Sequence, residues 1–168
     1  MTADGFTHLG ETGTVHMVDV TAKNPTVRSA VAAAVVVTSP EVIQRLLNDT
    51  VPKGDVWATA RIAGIMAAKK CAELIPLAHP IAVHGVDIDI GLTSRGIRVQ
   101  ATARTADRTG VEMEALVAAS VASLSIIDMV KSLDRTAFVA QVQLLEKHGG
   151  KSGSWIRPDD RGARESAS

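Results

Sequence analysis

Lys53, Asp55 and His79 bracket a run of small residues, KGDVWATARIAGIMAAKKCAELIPLAHP, and Asp128 stands three residues before Lys131 in a second, apolar run. A lysine beside a carboxylate can hold or pass a proton, and histidine can do either near neutral pH. Glu112 and Glu114 open the second run. Lys147 and Lys151 lie among glycines in LLEKHGGKSG, a flexible cationic loop suited to phosphate, although the spacing and strand-to-helix setting of a P-loop are missing. The set reads as the lining of a ligand site.

Each of these residues also has an ordinary reading. Asp128 and Lys131 would share a helix face, and such a pair standing alone is a surface ion pair. Ile126, Ile127, Met129 and Val130 surround Asp128 in sequence, an apolar setting expected to raise its affinity for protons. His79 beside Pro80 reads, taken alone, as a hydrogen-bonded structural residue, and the Lys147–Lys151 loop as a solvated tail. His8, His16, His84 and His148 keep the structural reading. No histidine pair has metal-ligand spacing and Cys71 is the single cysteine, so no protein-held metal and no intrachain disulfide are expected.

The elements that must position these groups follow from pattern. Asp55 is placed to cap a helix running from Val56 to Leu74, with Val56, Ala60, Ala63, Ala67 and Cys71 along a thin face and Pro76 ending it. Leu77-Ala78-His79-Pro80 continues as a stiff loop. Upstream, Thr14–Val20 alternates as a short strand, and Val27–Thr38 reads as a strand buried on both faces. Ser39-Pro40 starts a short helix to Leu47. Downstream, Ile81–Leu92 and Ile97–Thr105 form a hairpin about Ser94-Arg95-Gly96, Gly110–Leu133 is a long helix, and Phe138–Leu145 is the last strand.

Strand, helix, hairpin, helix, strand is the split βαβ pattern of an α+β ferredoxin-like sandwich, here with an N-terminal strand and short-helix extension. One domain over residues 14–153 is expected, flanked by disordered segments at 1–13 and 154–168. One sheet face would carry both helices, and a partner subunit is the simplest cover for the other. On the long helix Glu114 and Asp128 face nearly the same way but lie about 21 Å apart. A site using both must take an extended, nucleotide-sized ligand or be built from two subunits.

Eighteen lysines and arginines balance eighteen aspartates and glutamates, so no general field draws nucleic acid or an acidic membrane. With two phenylalanines, two tryptophans and no tyrosine, a base-stacking platform is excluded. Ala30–Val37 is too short to span a bilayer and no secretory signal is visible, which makes the cytoplasm the expected location.

KGDVWATARIAGIMAAKK, LIPLAHP, TGVEMEALVAASVASLSIIDMVKSLD and LLEKHGGKSG, in this order, closely resemble the MoaC family, the cyclic pyranopterin monophosphate synthases of molybdenum cofactor biosynthesis. The resemblance spans about residues 14–153. It implies a lyase of the phosphorus–oxygen type that turns a cyclised dihydro-GTP into cyclic pyranopterin monophosphate and pyrophosphate. It also implies a ferredoxin-like subunit in a homohexamer, a trimer of dimers, with sites at subunit contacts. By the same carry-over Asp128 and Lys131 are catalytic, with His79 and Lys53 beside them. Leu77, Ala78, His79, Met113 and Glu114 bind substrate, and Glu112, Lys147 and Lys151 are charged pocket positions. Family members often carry cysteine before the loop histidine. Ala78 stands there in this chain, which excludes a thiol role at that place. No cofactor is expected, and magnesium could accompany the triphosphate. The competing reading is a ferredoxin-like regulatory module that binds a nucleotide without altering it.

Overall fold

Ser39 and Asp55 take up the free amides of two helix starts, as their residue types dictate. The Ser39 hydroxyl accepts from the Val42 amide at 3.4 Å with Pro40 next in line, and the Asp55 carboxylate accepts from the Ala58 amide at 2.9 Å. In the computed structural model, which describes residues 16–158, the elements run β1 (Thr26–Val37), α1 (Pro40–Leu47), α2 (Val56–Lys69), α3 (Cys71–Leu74), β2 (Gly85–Thr93), β3 (Gly96–Asp107), α4 (Glu112–Val130), β4 (Phe138–His148) and β5 (Trp155–Ile156). Among the described residues the strands form one antiparallel sheet in the order β2-β3-β1-β4-β5. Its first four members are the split βαβ arrangement of a ferredoxin-like α+β fold.

The antiparallel register sorts the two faces. Ala30, Ala32, Ala34 and Val36 of β1 pair with Ala103, Ala101, Val99 and Ile97 of β3, all essentially without solvent exposure. These small side chains let α4 lie close on the sheet through Ala115, Ala118, Ala119, Ala122 and Ile126. On the opposite face Val31, Ala33 and Val35 pair with Thr102, Gln100 and Arg98, and Asp87 and Asp89 of β2 continue the polar row. The strand expected to be buried on both faces is therefore fully buried on the helix side, and Val31, Val35 and Val37 stay half-buried. A face of this polarity can meet water, so it does not by itself demand a protein cover.

α2 and α4 run antiparallel and nearly in backbone contact. A Cβ on Gly64 would stand 3.0 Å from the Ala118 carbonyl and 3.1 Å from both Ala122 Cβ and Ile88 Cδ1. α4 is long and apolar enough to pass as a membrane span, but half of it is buried against the sheet and α2, as in the core helix of a folded domain.

Several boundaries differ from expectation. The helix expected to reach Leu74 breaks at Lys70, whose φ of −110° and ψ of 14° leave the helical basin, and a new turn sets Cys71 back into the core. The short helix lies in the β1–α2 crossover and not in an N-terminal extension. Residues 16–20 of the expected first strand form no strand, because they lie along the His79 loop and not along a sheet edge, while Thr14 and Val15 fall outside the described residues, as does the segment 1–13. Trp155–Ile156, placed in the expected tail, pair with Lys147 and Glu146. Arg157 holds that strand, donating to the Leu144 carbonyl at 2.7 Å with its guanidinium 5.7 Å from the Trp155 ring centre. Residues 159–168 lie outside the described residues.

Asp134 ties the loop after α4 to the start of α1. Its carboxylate accepts from the Thr38 hydroxyl, the Ser39 amide, and the Thr136 amide and hydroxyl, at 2.6–2.9 Å. These bonds, those from Thr136 first, hold its pKa down to about 2 from an ordinary 3.8. A depressed folded-state pKa contributes stability that is complete above the ordinary value and is lost as pH falls through about 2. Asp134→Asn should therefore melt below the parent near neutral pH, with the gap between the two melting temperatures closing between pH 3.8 and about 2. Thermal melts across that window check it.

Candidate active site

α4 carries charge at both ends, and each end meets a different partner segment. At the carboxyl end Lys53 Nζ donates to the Asp128 carbonyl at 2.6 Å and lies 3.3 Å from Asp128 Oδ2, while Lys131 Nζ stands 2.6 Å from Asp128 Oδ1. The loop before α2 and the last turn of α4 meet because the two helices are antiparallel. The carboxylate is bridged by two ammonium groups beside an open recess of about 470 Å³ lined by Lys53, Lys131, Ser132 and Arg135.

Asp128 is 60 % exposed at its side chain, and its hydrogen bonds to Lys131 and then Lys53, reinforced by their charges, lower its pKa. The expected rise in proton affinity is overturned. Its sequence neighbours Ile126, Met129 and Val130 turn into the core while Asp128 points out, so they do not desolvate it. Asp128 is an ionised base held between two cations.

At the amino end His79, Leu77, Ala78, Glu112, Met113 and Glu114 line one pocket of about 380 Å³ together with Val18, Val20, Lys23, Thr109 and Gly110. His79 Nε2 lies 2.7 Å from the Val18 carbonyl. A carbonyl only accepts, so Nε2 carries the hydrogen and the neutral ring keeps Nδ1 as an acceptor. Glu114, 3 % exposed, is raised in pKa first by burial. Its backbone hydrogen bond and that from Cys71 pull the other way, Glu112 adds to the rise and His79 opposes it.

Lys147 sits beside this end. It hydrogen-bonds Ser152 and lines a small recess with Gly110, Glu112, Arg28 and His148. The turn that follows needs Gly149, at φ 89°, because a Cβ there would fall 2.3 Å from the Val27 carbonyl. Lys151 lines the adjoining groove with Lys23 and Arg28. Among the described residues no group of three or more His, Cys, Asp or Glu side chains is placed to hold a metal ion.

One chain therefore brings the predicted residues into two groups. Lys53, Asp128 and Lys131 form one, and His79, Leu77, Ala78, Glu112, Met113, Glu114, Lys147 and Lys151 gather at or next to the other. Fourteen residues of helix separate Glu114 from Asp128, about 21 Å at 1.5 Å per residue. Lys53 thus stands away from Lys147 and Lys151, the lysines of the cationic loop. Sequence reading missed Lys23, Arg28, Ser132 and Arg135. Arg28 had a signal, a lone cation at the head of an apolar strand. Its guanidinium holds the Asp107 and Arg108 carbonyls at 2.9 and 3.0 Å and so fixes the loop that leads into α4.

A model of the MoaC family matches residues 17–150. Among curated proteins, a cyclic pyranopterin monophosphate synthase of Streptomyces avermitilis is 52% identical over 154 residues, 92% of this chain and 91% of that protein. The protein of that name from Streptomyces griseus is 51% identical over 161 residues, 96% and 91% of the two chains. A cyclic pyranopterin monophosphate synthase 2 of Mycobacterium tuberculosis is 49% identical over 152 residues, 90% and 91% of the two chains.

Proposed function

The chain belongs to the MoaC family, and from that premise we propose that it converts (8S)-3',8-cyclo-7,8-dihydroguanosine 5'-triphosphate to cyclic pyranopterin monophosphate with release of pyrophosphate. The observation that carries this reading is the division of charge along α4. A carboxylate clamped by two lysines stands at one end, and a buried glutamate, a histidine and the glycine-loop lysines stand at the other.

The reaction needs both kinds of equipment. Rearranging the purine-derived rings requires proton transfers, and the ionised Asp128 with Lys131 supplies an acceptor and a donor 2.6 Å apart. Closing the cyclic phosphate forms one P–O bond from a sugar-derived hydroxyl oxygen to the α-phosphorus and breaks the P–O bond to the β-phosphate. The hydroxyl proton goes to a base and the electron pair leaves with pyrophosphate, the balance of a phosphorus–oxygen lyase. His79 Nδ1 is the acceptor available for that proton, and Lys53, Lys147 and Lys151 offset the phosphate charge. Any magnesium arrives with the triphosphate as part of the substrate, and no resident cofactor is needed.

One copy keeps the two groups about 21 Å apart, so the working site is composite. One subunit contributes the Lys53–Asp128–Lys131 end and a neighbour the His79–Glu114 end, within a homohexamer that is a trimer of dimers. The setting is cytoplasmic, where a GTP-derived substrate is made.

The test is direct. The purified protein given the cyclised nucleotide should release pyrophosphate and cyclic pyranopterin monophosphate in equal amounts, and GTP should yield neither. Binding of the cyclised nucleotide without pyrophosphate release would replace the enzyme with a regulatory nucleotide-binding module.

A further inference from the structure

Arg135 and Ser132 line the recess beside the Lys53–Asp128–Lys131 clamp, and both side chains keep their donors unused. Among the described residues the Arg135 guanidinium makes no hydrogen bond, ion pair or ring contact, and the Ser132 hydroxyl makes no hydrogen bond. A guanidinium offers five N–H donors in a planar fork that grips an oxyanion two bonds at a time. The recess, about 470 Å³, lies within the roughly 300–1,000 Å³ of small-ligand sites.

Charge at the recess favours an anion. Lys53 and Lys131 share the single carboxylate of Asp128, so with Arg135 three cations stand against one anion. The carbonyls at the end of α4 would oppose an anion, but Lys53 Nζ already donates to that of Asp128 at 2.6 Å. Asp134, next to Arg135 in the chain, does not neutralise it either, because its carboxylate is taken up by Thr38, Ser39 and Thr136. Those same bonds fix the backbone on both sides of Arg135 and tie it to the start of α1. The guanidinium is carried on a fixed base, which lowers the ordering cost of using it.

We propose that this recess is an oxyanion subsite in which Arg135 and Ser132 bind a phosphate group beside the two lysines. The inference rests on the reaction proposed above, which supplies phosphate from two sources, the terminal phosphates of the bound nucleotide and the free pyrophosphate it releases. The ordinary alternative is a solvated surface arginine, which alanine replaces without effect on any anion.

The experiment titrates the assembled protein with inorganic pyrophosphate at low salt in a calorimeter. A Lys147→Ala, Lys151→Ala background removes the glycine-loop lysines from competition. This background should still bind, and adding Arg135→Ala should weaken the binding about tenfold, the loss of charge-assisted hydrogen bonds. Arg135→Lys keeps the charge without the fork and should recover only part of it. Arg95→Ala removes an equal charge from the β2–β3 turn and should leave the affinity within about twofold. Turnover of the cyclised nucleotide by Arg135→Ala, with the loop lysines intact, tells the two sources apart. Where the nucleotide's phosphates occupy the recess, KM rises about tenfold with kcat near the parental value. Where free pyrophosphate does, KM holds and product inhibition weakens about tenfold. A background that binds no pyrophosphate, an affinity unmoved by Arg135→Ala, or an equal loss in Arg95→Ala would each overturn the proposal. A parent that releases no pyrophosphate from the cyclised nucleotide defeats the proposed function instead, and the titration still decides whether the recess binds an oxyanion.

Discussion

Asp128→Asn is expected to fold and assemble like the parent and to lose turnover of the cyclised nucleotide by roughly 10²–10⁴-fold, the range for removing a positioned general base. Asparagine keeps the shape, its one amide oxygen can still accept from Lys131 and the main-chain carbonyl of residue 128 from Lys53, so most of the site's geometry survives while its basicity does not. Stability should barely change, because the carboxylate is 60 % exposed and exposed ion pairs contribute little. The lowered pKa of Asp128 adds a sign. The base is already ionised near neutral pH, so protonation of Asp128 itself should cost no activity until pH falls below the ordinary carboxylate range. Size-exclusion profiles, thermal melts and initial rates for the two proteins make the comparison. Parental rates in a folded Asp128→Asn would remove Asp128 from the chemistry.

The fate of Asp128 also shows where sequence reading works and where it stops. Helix starts were legible because capping is local: Ser39-Pro40 and Asp55 need only the next three residues to declare themselves. Strand faces were legible for the same reason, since alternation in Ile97, Val99, Ala101 and Ala103 is a property of the segment alone. The proton affinity of Asp128 was not local. Successive helical residues point about 100° apart, so apolar neighbours in sequence lie round the side of α4, while the groups that set the charge are Lys131 one turn on and Lys53, brought in by tertiary packing. β5 was hidden for a similar reason. Nothing in Trp155–Ile156 marks a strand until Glu146 and Lys147 offer an edge and Arg157 closes it. Ile81–His84 show the converse. Apolar enough for a strand, they run beside β3, with the His84 amide donating to the Arg104 carbonyl and the Thr105 hydroxyl to the Ala82 carbonyl, yet the regular ladder begins only at Gly85.

The division of the site has a consequence larger than any single substitution. Asp128→Asn disables one end of α4 and His79→Ala the other, and each protein alone should be nearly inactive. If every working site draws the two ends from different copies, an oligomer mixed from the two variants contains sites of two kinds. At some contacts both lesions meet. At others an intact Lys53–Asp128–Lys131 end from the His79→Ala chain faces an intact His79–Glu114 end from the Asp128→Asn chain. Random pairing in a dimer puts roughly a quarter of all sites in that intact class, so a one-to-one mixture assembled by co-expression should regain about a quarter of parental turnover. Placing both substitutions on one chain and mixing it with the parent separates shared sites from partial activity of either variant. In that mixture a composite site retains only contacts between parental copies, again about a quarter. A site contained within one chain would instead retain half and would give nothing when the two single variants are mixed. A mixture of singles as inactive as its components would place both ends in one copy's chemistry, and the 21 Å along α4 would then have to be spanned by the substrate itself.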